Sequence, residues 1–207
     1  MVEFLPDKKG SCMSWFNRGQ SAVLGIDIST AAIKLLELSK VGARYRVENY
    51  AVAPLPQDAV VDKNIANIDV IASAIKSAVK QSGTKTKYAC VAVAGSSVMT
   101  KVISMPGSLS EEEMEEQILV EADQYVPYSL DEVNLDFEVQ GVSDKNPEMV
   151  DVLLAASRQE NVNDRVDVLE KAGLKAKIVD VEAFAMENAF TLLADQLPDA
   201  IENQTVA

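Results

Sequence analysis

The sequence predicts an α/β fold with a mixed β-sheet and helices, divided into two units. Short apolar runs that are rich in β-branched residues occur between longer segments whose apolar residues recur every three or four positions. The first pattern is typical of strands and the second of helices. A Gly-Ser-Ser break at residues 95–97 is followed by a new series of strands and helices. We therefore expect a subdomain boundary at this break.

Three strands joined by tight turns begin the first unit. Residues 22–28 and 33–38 are apolar, and the small residues between them favour a turn. Residues 45–53 follow a break that contains Gly42, and their first residues alternate between apolar and polar. Such short connections join antiparallel neighbours, so we expect a three-stranded meander.

A helix and a fourth strand complete the first unit. Apolar residues recur at helical spacing from 68 to 79, and Gly83 is the expected C-terminal stop. Residues 88–94 are dense in valine and alanine, which is typical of a strand covered on both faces. We expect the helix to lie on the sheet.

The second unit has its own strands and helix. Residues 99–105 indicate a strand, and Ser110 followed by Glu113 is the pattern of a capping box that opens a helix. The adjacent glutamates suit the positive end of that helix, with a metal or acidic docking patch as the alternative. Residues 135–142 and 149–157 indicate two strands joined by a turn-rich segment.

The remaining chain indicates one more strand between two helices. Residues 159–172 return to helical spacing, residues 174–181 form a strand, and residues 182–196 form the last helix. Residues 203–207 resemble the beginning of another strand. We therefore expect the chain to be a fragment, with self-association through apolar surface that a missing part would cover.

The composition excludes several classes of function. The 207 residues include no histidine and only two cysteines, Cys12 and Cys90. Ser-His-Asp catalysis, the usual zinc hydrolase sites and a disulfide framework are therefore excluded. The formal net charge of −13 opposes broad electrostatic binding to nucleic acid or anionic lipid. No apolar run is long enough to span a bilayer, and Trp15 and Phe16 are at most a small interfacial anchor.

Two residues of opposite charge lie on either side of the turn between the first two strands. The segment LGIDISTAAIKLLEL places Asp27 at a strand end and Lys34 seven residues later. Because a strand follows, this is not a phosphate loop that ends in a helix. The hairpin could instead hold a polyphosphate with its backbone amides, Asp27 and Lys34. Alternatively, Asp27 caps the turn and Lys34 lies on the solvent face of an edge strand.

Several motifs together resemble a known family. The stretches LGIDISTAAIK, EADQYVPY and LDFEVQG occur in the order typical of the PilM family of type IV pilus assembly proteins. This family is actin-like and related to the cell-division protein FtsA. The resemblance covers nearly all of residues 22–190, and the two later stretches are its most specific part.

The resemblance implies an actin-like, ribonuclease H-like lobe with an inserted αβ subdomain of the 1C type. Residues 1–21 would be a leader, and residues 22–97 would be the first part of subdomain 1A. Residues 98–176 would be the 1C insertion, and residues 177–207 would return to subdomain 1A. The second lobe of the actin-like fold would lie outside this chain.

The resemblance also implies a nucleotide site. Asp27, Ser29, Thr30 and Lys34 match the first phosphate loop of the actin and sugar-kinase superfamily, which binds ATP and Mg²⁺. Asp27 would face the metal. Ser29 replaces the glycine of the wider superfamily, so close backbone approach is less favourable here. Only half of the nucleotide site would be present, and hydrolysis would be weak at most.

The implied partner is the cytoplasmic tail of the inner-membrane protein PilN. In the family this tail lies extended in a groove between subdomains 1A and 1C. The candidate groove residues near the junctions are Val98, Met99, Thr100, Lys101, Leu174 and Lys175. The protein would act at the cytoplasmic face of the inner membrane, with other pilus assembly proteins and the pilus motor, in twitching motility.

Two other functions are also compatible with the sequence. One is a phosphotransferase of the actin and sugar-kinase superfamily, which would need an acceptor site and a carboxylate base. The other is a scaffold that keeps the fold without binding nucleotide, because Ser29 replaces glycine. Fold resemblance by itself does not decide between them.

Overall fold

A computed structural model describes residues 22–42 and 44–193, which form two αβ units. The helices are α1 Ile68–Ser82, α2 Glu111–Tyr125, α3 Gln159–Lys171 and α4 Glu182–Leu193. Single 3-10 turns occur at Gly95–Ser97 and Leu130–Glu132. The strands are β1 Leu24–Ile28, β2 Ala32–Val41, β3 Arg44–Pro54, β4 Val60–Val61, β5 Asn64–Ile65, β6 Tyr88–Val93, β7 Val98–Pro106, β8 Val133–Ser143, β9 Asn146–Arg158 and β10 Lys175–Val181.

The larger unit contains a mixed five-stranded sheet with the order β10-β6-β1-β2-β3. The first three strands pair antiparallel, which confirms the predicted meander. Strand β6 runs parallel to both β1 and β10. Lys34 therefore does not lie on an edge strand, because β2 is hydrogen-bonded to β1 on one side and to β3 on the other. The carboxyl ends of β1, β6 and β10 lie at the same end of this sheet.

Helices α1 and α3 pack on one face of the large sheet and form its core. Asn67 caps α1 by accepting a hydrogen bond from the Val70 amide, and Gly83 ends the helix with a φ of 72°. This left-handed conformation favours glycine, so the predicted stop is confirmed. The largest fully buried side chains of this core are Leu24, Ile33, Leu35, Ile71, Ile75 and Leu169.

The smaller unit is an antiparallel sheet with the order β7-β9-β8, covered by α2. Ser110 accepts a hydrogen bond from the Glu113 amide, and the Glu113 carboxylate accepts one from the Ser110 amide. The predicted capping box is therefore confirmed. A separate apolar cluster forms between helix and sheet from Ile103, Met105, Met114, Ile118, Phe137, Val152 and Leu154.

The insertion ends earlier than the sequence predicted. Helix α3 was expected within an insertion over residues 98–176, but its buried residues Val162, Val166 and Leu169 belong to the core of the larger unit. The same helix packs against α1, β6 and β10. As packed, the inserted unit therefore comprises about residues 98–158, and α3 belongs with the large sheet.

A small hairpin was not predicted. Strands β4 and β5 pair antiparallel, and the residues between them, Asp62 and Lys63, both have positive φ angles. The predicted last helix is confirmed as far as Leu193. The predicted leader, Trp15, Phe16 and the predicted final strand lie outside the described residues. Within the described part of the chain, no helix combines the length and hydropathy needed to cross a membrane.

Candidate functional site

The Asp27–Lys34 hairpin is the first candidate site. The two residues are direct partners in the β1–β2 register. Their side chains point to the same face of the sheet, where Lys34 Nζ donates to Asp27 Oδ2 over 2.9 Å. Both side chains are about half exposed, at 59% and 51%. The hydrogen bond and the charge of Asp27 raise the pKa of Lys34, so the pair is an accessible cation and anion.

Some polar groups of the turn between these strands form hydrogen bonds within the fold and are not available to a ligand. The Ser29 amide donates to the Ala32 carbonyl over 3.1 Å, and the Ser29 hydroxyl donates to the same oxygen over 2.8 Å. The Leu55 amide donates to the Ala31 carbonyl over 2.8 Å. Thr30 is exposed at the tip. Ser29 is thus occupied by the turn. The groups accessible to a ligand are Thr30 and the half-exposed Lys34 and Asp27, which are bonded to each other.

A metal ion at this hairpin would have one protein carboxylate. Among the described residues, no group of three or more acidic, cysteine or histidine side chains is close enough to hold a metal. Mg²⁺ commonly keeps several waters and binds through one or two carboxylates plus phosphate oxygens. Asp27 suits that role only if a bound phosphate shares the metal.

Asp180 is an acidic residue that the sequence interpretation missed. It lies near the carboxyl end of β10, paired with Ala92 of β6, and only 6% of its surface is exposed. One of its carboxylate oxygens accepts a hydrogen bond from the Val181 amide over 2.7 Å, and burial raises its pKa. Ligands of α/β sheets bind beyond the carboxyl ends of parallel strands. The only signal in the sequence was a single acid within the apolar run KIVDV.

The second candidate site is a cleft of about 610 Å³ between the two units. The larger unit contributes Asn64 and Ile65 from β5 and Glu160, Asn161 and Asp164 from α3. The connecting segment contributes Ser96 and Ser97. The inserted unit contributes Val98, Met99, Val126, Pro127, Tyr128 and Arg158, with Val133 and Ala156 beneath them.

An aromatic ring and a guanidinium lie together in this cleft. The Arg158 guanidinium carbon lies 4.2 Å from the centroid of the Tyr128 ring, which is the geometry of a cation–π contact. Gln159 next to it donates to the Asp131 carbonyl over 2.9 Å and joins α3 to the turn before β8. A large aromatic side chain with a polar tip at the rim is typical of a binding surface.

Two carboxylates lie on the α3 side of the cleft. Glu160 and Asp164 are four residues apart and therefore share one face of the helix. Burial and the nearby charge of Glu160 raise the pKa of Asp164. The charge of the neighbouring Arg165 acts in the other direction but does not outweigh these two effects. In the part of the chain that the structure describes, neither carboxylate forms an ion pair, so this side of the cleft is acidic.

Arg165 joins segments of the larger unit beside the cleft. It is only 5% exposed, and its three hydrogen bonds all go to carbonyl oxygens. Nε donates to Ala92 over 2.6 Å, one terminal nitrogen donates to Asn161 over 2.8 Å, and the other donates to Lys63 over 3.3 Å. Burial lowers the pKa of Arg165, although a guanidinium stays charged in proteins. The side chain thus joins α3, the end of β6 and the β4–β5 hairpin.

The family model for the type IV pilus assembly protein PilM matches residues 25–207. This match spans most of the chain. The chain belongs to the PilM family. The expected fold class, one lobe of an actin-like fold with an inserted αβ unit, is confirmed.

Two solved structures are similar to this PilM-family chain. A PilM–PilN type IV pilus biogenesis complex matches with a TM-score of 0.72 and 30% identity over 84% of this chain and 51% of that one. The chain therefore spans about half the length of that relative. The cytoplasmic domain of EpsL, an inner-membrane component of the type II secretion system of Vibrio cholerae, matches with a TM-score of 0.52 and 16% identity. That match covers 80% of this chain and 59% of the EpsL cytoplasmic domain, and it shows the fold alone.

The structure separates the predicted groove residues of this PilM-family chain. Val98 and Met99 line the cleft between the two units. Thr100 and Lys101 lie further along β7 and are exposed. Leu174 is buried, and Lys175 pairs with Tyr88 at the end of the sheet opposite Val93 and Val181. The cleft instead contains Tyr128, Arg158 and the acidic residues of α3, which no local sequence pattern indicated.

Proposed function

We propose that the protein is an adaptor of type IV pilus assembly that binds the cytoplasmic tail of PilN in the cleft between its two units. The observation that supports this most is the cleft itself, which is lined by both units and has an aromatic residue at its rim. The adaptor would act at the cytoplasmic face of the inner membrane, in twitching motility. Its contact with the membrane would come through PilN.

The shape and lining of the cleft suit an extended peptide. Its volume of about 610 Å³ accommodates a few residues rather than a folded domain. Strand β7 is an edge of the small sheet and starts at Val98, inside the cleft. An edge strand has unpaired backbone groups that an extended chain can meet. Backbone hydrogen bonds would then supply affinity, and side-chain pockets would supply specificity.

The Asp27–Lys34 hairpin would bind Mg-ATP in the same protein. Lys34 and Asp27 fit the group because both are accessible and lie on one face. Lys34 would neutralise phosphate charge, Asp27 would bind the metal, directly or through water, and Thr30 would donate from the turn tip. Bound nucleotide would supply a polyphosphate anion that bridges this lobe to the rest of the protein. Ser29 would bind the phosphate only if its hydrogen bonds to the Ala32 carbonyl were replaced by bonds to the ligand.

A scaffold without nucleotide is the second candidate function. One specific observation favours it: the amide and the hydroxyl of Ser29 are both directed at the Ala32 carbonyl. The first phosphate loop therefore has fewer free donors than a loop with glycine and an open amide would have. Such a scaffold would bind the tail peptide with the same affinity whether or not Mg-ATP is present.

Titration calorimetry of the full-length protein with the PilN tail peptide tests the proposed adaptor function. We expect the parent protein to bind and Tyr128→Ala to weaken binding at least about tenfold, because aromatic side chains that a bound peptide covers dominate its affinity. Tyr45→Ala is the matched control. Tyr45 is also exposed and also has a cation near its ring, Lys40 at 6.0 Å, but it lies on β3. Equal binding by the two variants, or no binding by the parent, would exclude this cleft as the peptide site.

A further inference from the structure

The two walls of the cleft differ in chemistry. The wall from the inserted unit is apolar and aromatic, with Met99, Val126, Pro127 and Tyr128. The wall from the larger unit is polar and acidic, with Asn161 and the carboxylates of Glu160 and Asp164. A ligand that fills the space between them must therefore be apolar on one side and polar on the other.

The acidic wall lacks a cationic partner among the described residues. Arg165 is the nearest cation along α3, but its hydrogen bonds go to the carbonyls of Ala92, Asn161 and Lys63. Asp164 is half buried, and burial and the charge of Glu160 raise its pKa despite the opposing charge of Arg165. Glu160 and Asp164 share one helix face without an ion pair, so a cation from a ligand between them would favour the charged form of Asp164.

Arg158, which also lines the cleft, is cationic and would repel a basic group of the ligand. Its guanidinium lies on the Tyr128 ring and forms no ion pair within the described chain. A basic side chain placed against the Tyr128 wall would be repelled by this charge. A cleft that attracts cations at α3 and repels them at Tyr128 can discriminate between the two orientations of an extended segment.

Because successive side chains of an extended chain point to opposite sides, these walls require an alternating ligand. We propose that the cleft selects an extended segment whose apolar side chains face Met99 and Tyr128 and whose alternate position carries a basic side chain between Glu160 and Asp164. This inference rests on the proposed function, in which the segment is the PilN tail. It specifies the chemistry and the orientation of that tail.

Binding of synthetic PilN tail peptides to the full-length protein tests this inference through a double-mutant cycle. The protein variant is Asp164→Asn, and the peptide variants replace each lysine or arginine by glutamine in turn. Asp167→Asn is the matched control, because Asp167 is an exposed aspartate on the same helix outside the cleft lining. Circular dichroism of each protein variant checks folding, which the isosteric amide should preserve.

We expect Asp164→Asn to weaken binding of the parent peptide about tenfold, as removal of a partly buried ionic partner does, and Asp167→Asn to change it less than about twofold. One glutamine peptide should bind the parent protein and Asp164→Asn equally, which identifies the basic side chain. If the parent protein binds but both aspartate variants behave alike, the inference is wrong and the proposed function stands. If the parent protein binds no peptide, the proposed function fails and the inference fails with it.

Discussion

Arg165 Nε donates to the Ala92 carbonyl over 2.6 Å, so a buried guanidinium on α3 holds the end of strand β6. The same side chain reaches the Asn161 and Lys63 carbonyls. The Asn161 contact lies within α3, whereas the Ala92 and Lys63 contacts reach segments 73 and 102 positions away in the chain. A side chain that does not line the cleft thus joins α3 to the β4–β5 hairpin, and both of these segments do line it.

Replacing Arg165 by methionine should destabilise the protein. The carbonyls of Ala92 and Lys63 would lose donors from a buried guanidinium, and we expect the free energy of unfolding to fall by about 2 to 4 kcal/mol. Urea denaturation measures this change. Lys171→Met is the control on the same helix; its ion pair with Asp69 is exposed and should contribute little. A change no larger than that of the control would contradict the role of Arg165.

Glu37 should contribute to stability in a pH-dependent way. Burial disfavours its charged form, but hydrogen bonds from Thr86 at 2.5 Å, Asn49 at 2.6 Å and Thr84 at 2.7 Å outweigh burial and lower its pKa. A carboxylate with a lowered folded-state pKa stabilises the protein fully above its unfolded-state pKa, about 4.3. This contribution is lost as the pH falls through the folded-state pKa.

The test of Glu37 compares the parent protein with Glu37→Gln across the acidic range. We expect Glu37→Gln to be less stable at pH 7 by about 1 to 2 kcal/mol, because a neutral amide accepts these donors less well. The difference in the free energy of unfolding should shrink below about pH 4. Glu48→Gln is a control at an exposed carboxylate whose pKa is also lowered, by Ser39 and Arg46. A difference that stays constant down to pH 3 would contradict this prediction.

Removing the N-cap of α2 should weaken the inserted unit. Ser110→Ala deletes the hydroxyl that accepts from the Glu113 amide, and such substitutions typically cost about 1 kcal/mol. Ser108→Ala, two residues earlier and exposed, is the control. Hydrogen exchange of the α2 amides measures the effect locally. Equal exchange rates in the two variants would show that the capping box contributes nothing measurable.

The Asp27–Lys34 pair should affect nucleotide binding more than folding. We expect Asp27→Asn and Lys34→Met each to weaken binding of Mg-ATP to the full-length protein at least about tenfold, as loss of a phosphate or metal contact does. The thermal midpoint should hardly change, because exposed ion pairs contribute little to stability. Calorimetry and a thermal scan measure the two quantities.

A matched control for this prediction is the Asp69–Lys171 pair, which is also exposed and has a distance of 2.8 Å. Asp69→Asn and Lys171→Met should leave Mg-ATP binding unchanged. If Asp27→Asn and Lys34→Met bind Mg-ATP like the parent, the hairpin is not the nucleotide site. The scaffold function would then be favoured.

Local sequence signals predicted most elements of this fold correctly. Period-two alternation and short turns predicted the β1–β3 meander, because both are properties of neighbouring residues. The same holds for the capping box at Ser110 and for the stop at Gly83, where a positive φ favours a residue without a side chain. The hairpin of β4 and β5 was missed because strands of two residues are too short to show any period.

The partner of an element is harder to predict than the element. Helical spacing predicted α3 over residues 159–172, but an apolar helix face does not specify which sheet it will cover. The sequence interpretation therefore placed α3 in the inserted unit, and this placement was wrong. The contacts of Val162, Val166 and Leu169 with the core of the large sheet decided it.

The sequence by itself determined the family, most of the elements and the hairpin that contains Asp27 and Lys34, because these are set by neighbouring residues. The structure added that the two residues are direct partners in the β1–β2 register. Only the tertiary structure determined which residues line the cleft. Ile65, Tyr128 and Asp164 are far apart in the chain, and no local pattern relates them. They meet because α3 packs on the large sheet while the inserted sheet follows β6 directly, and burial of the two cores fixes that arrangement.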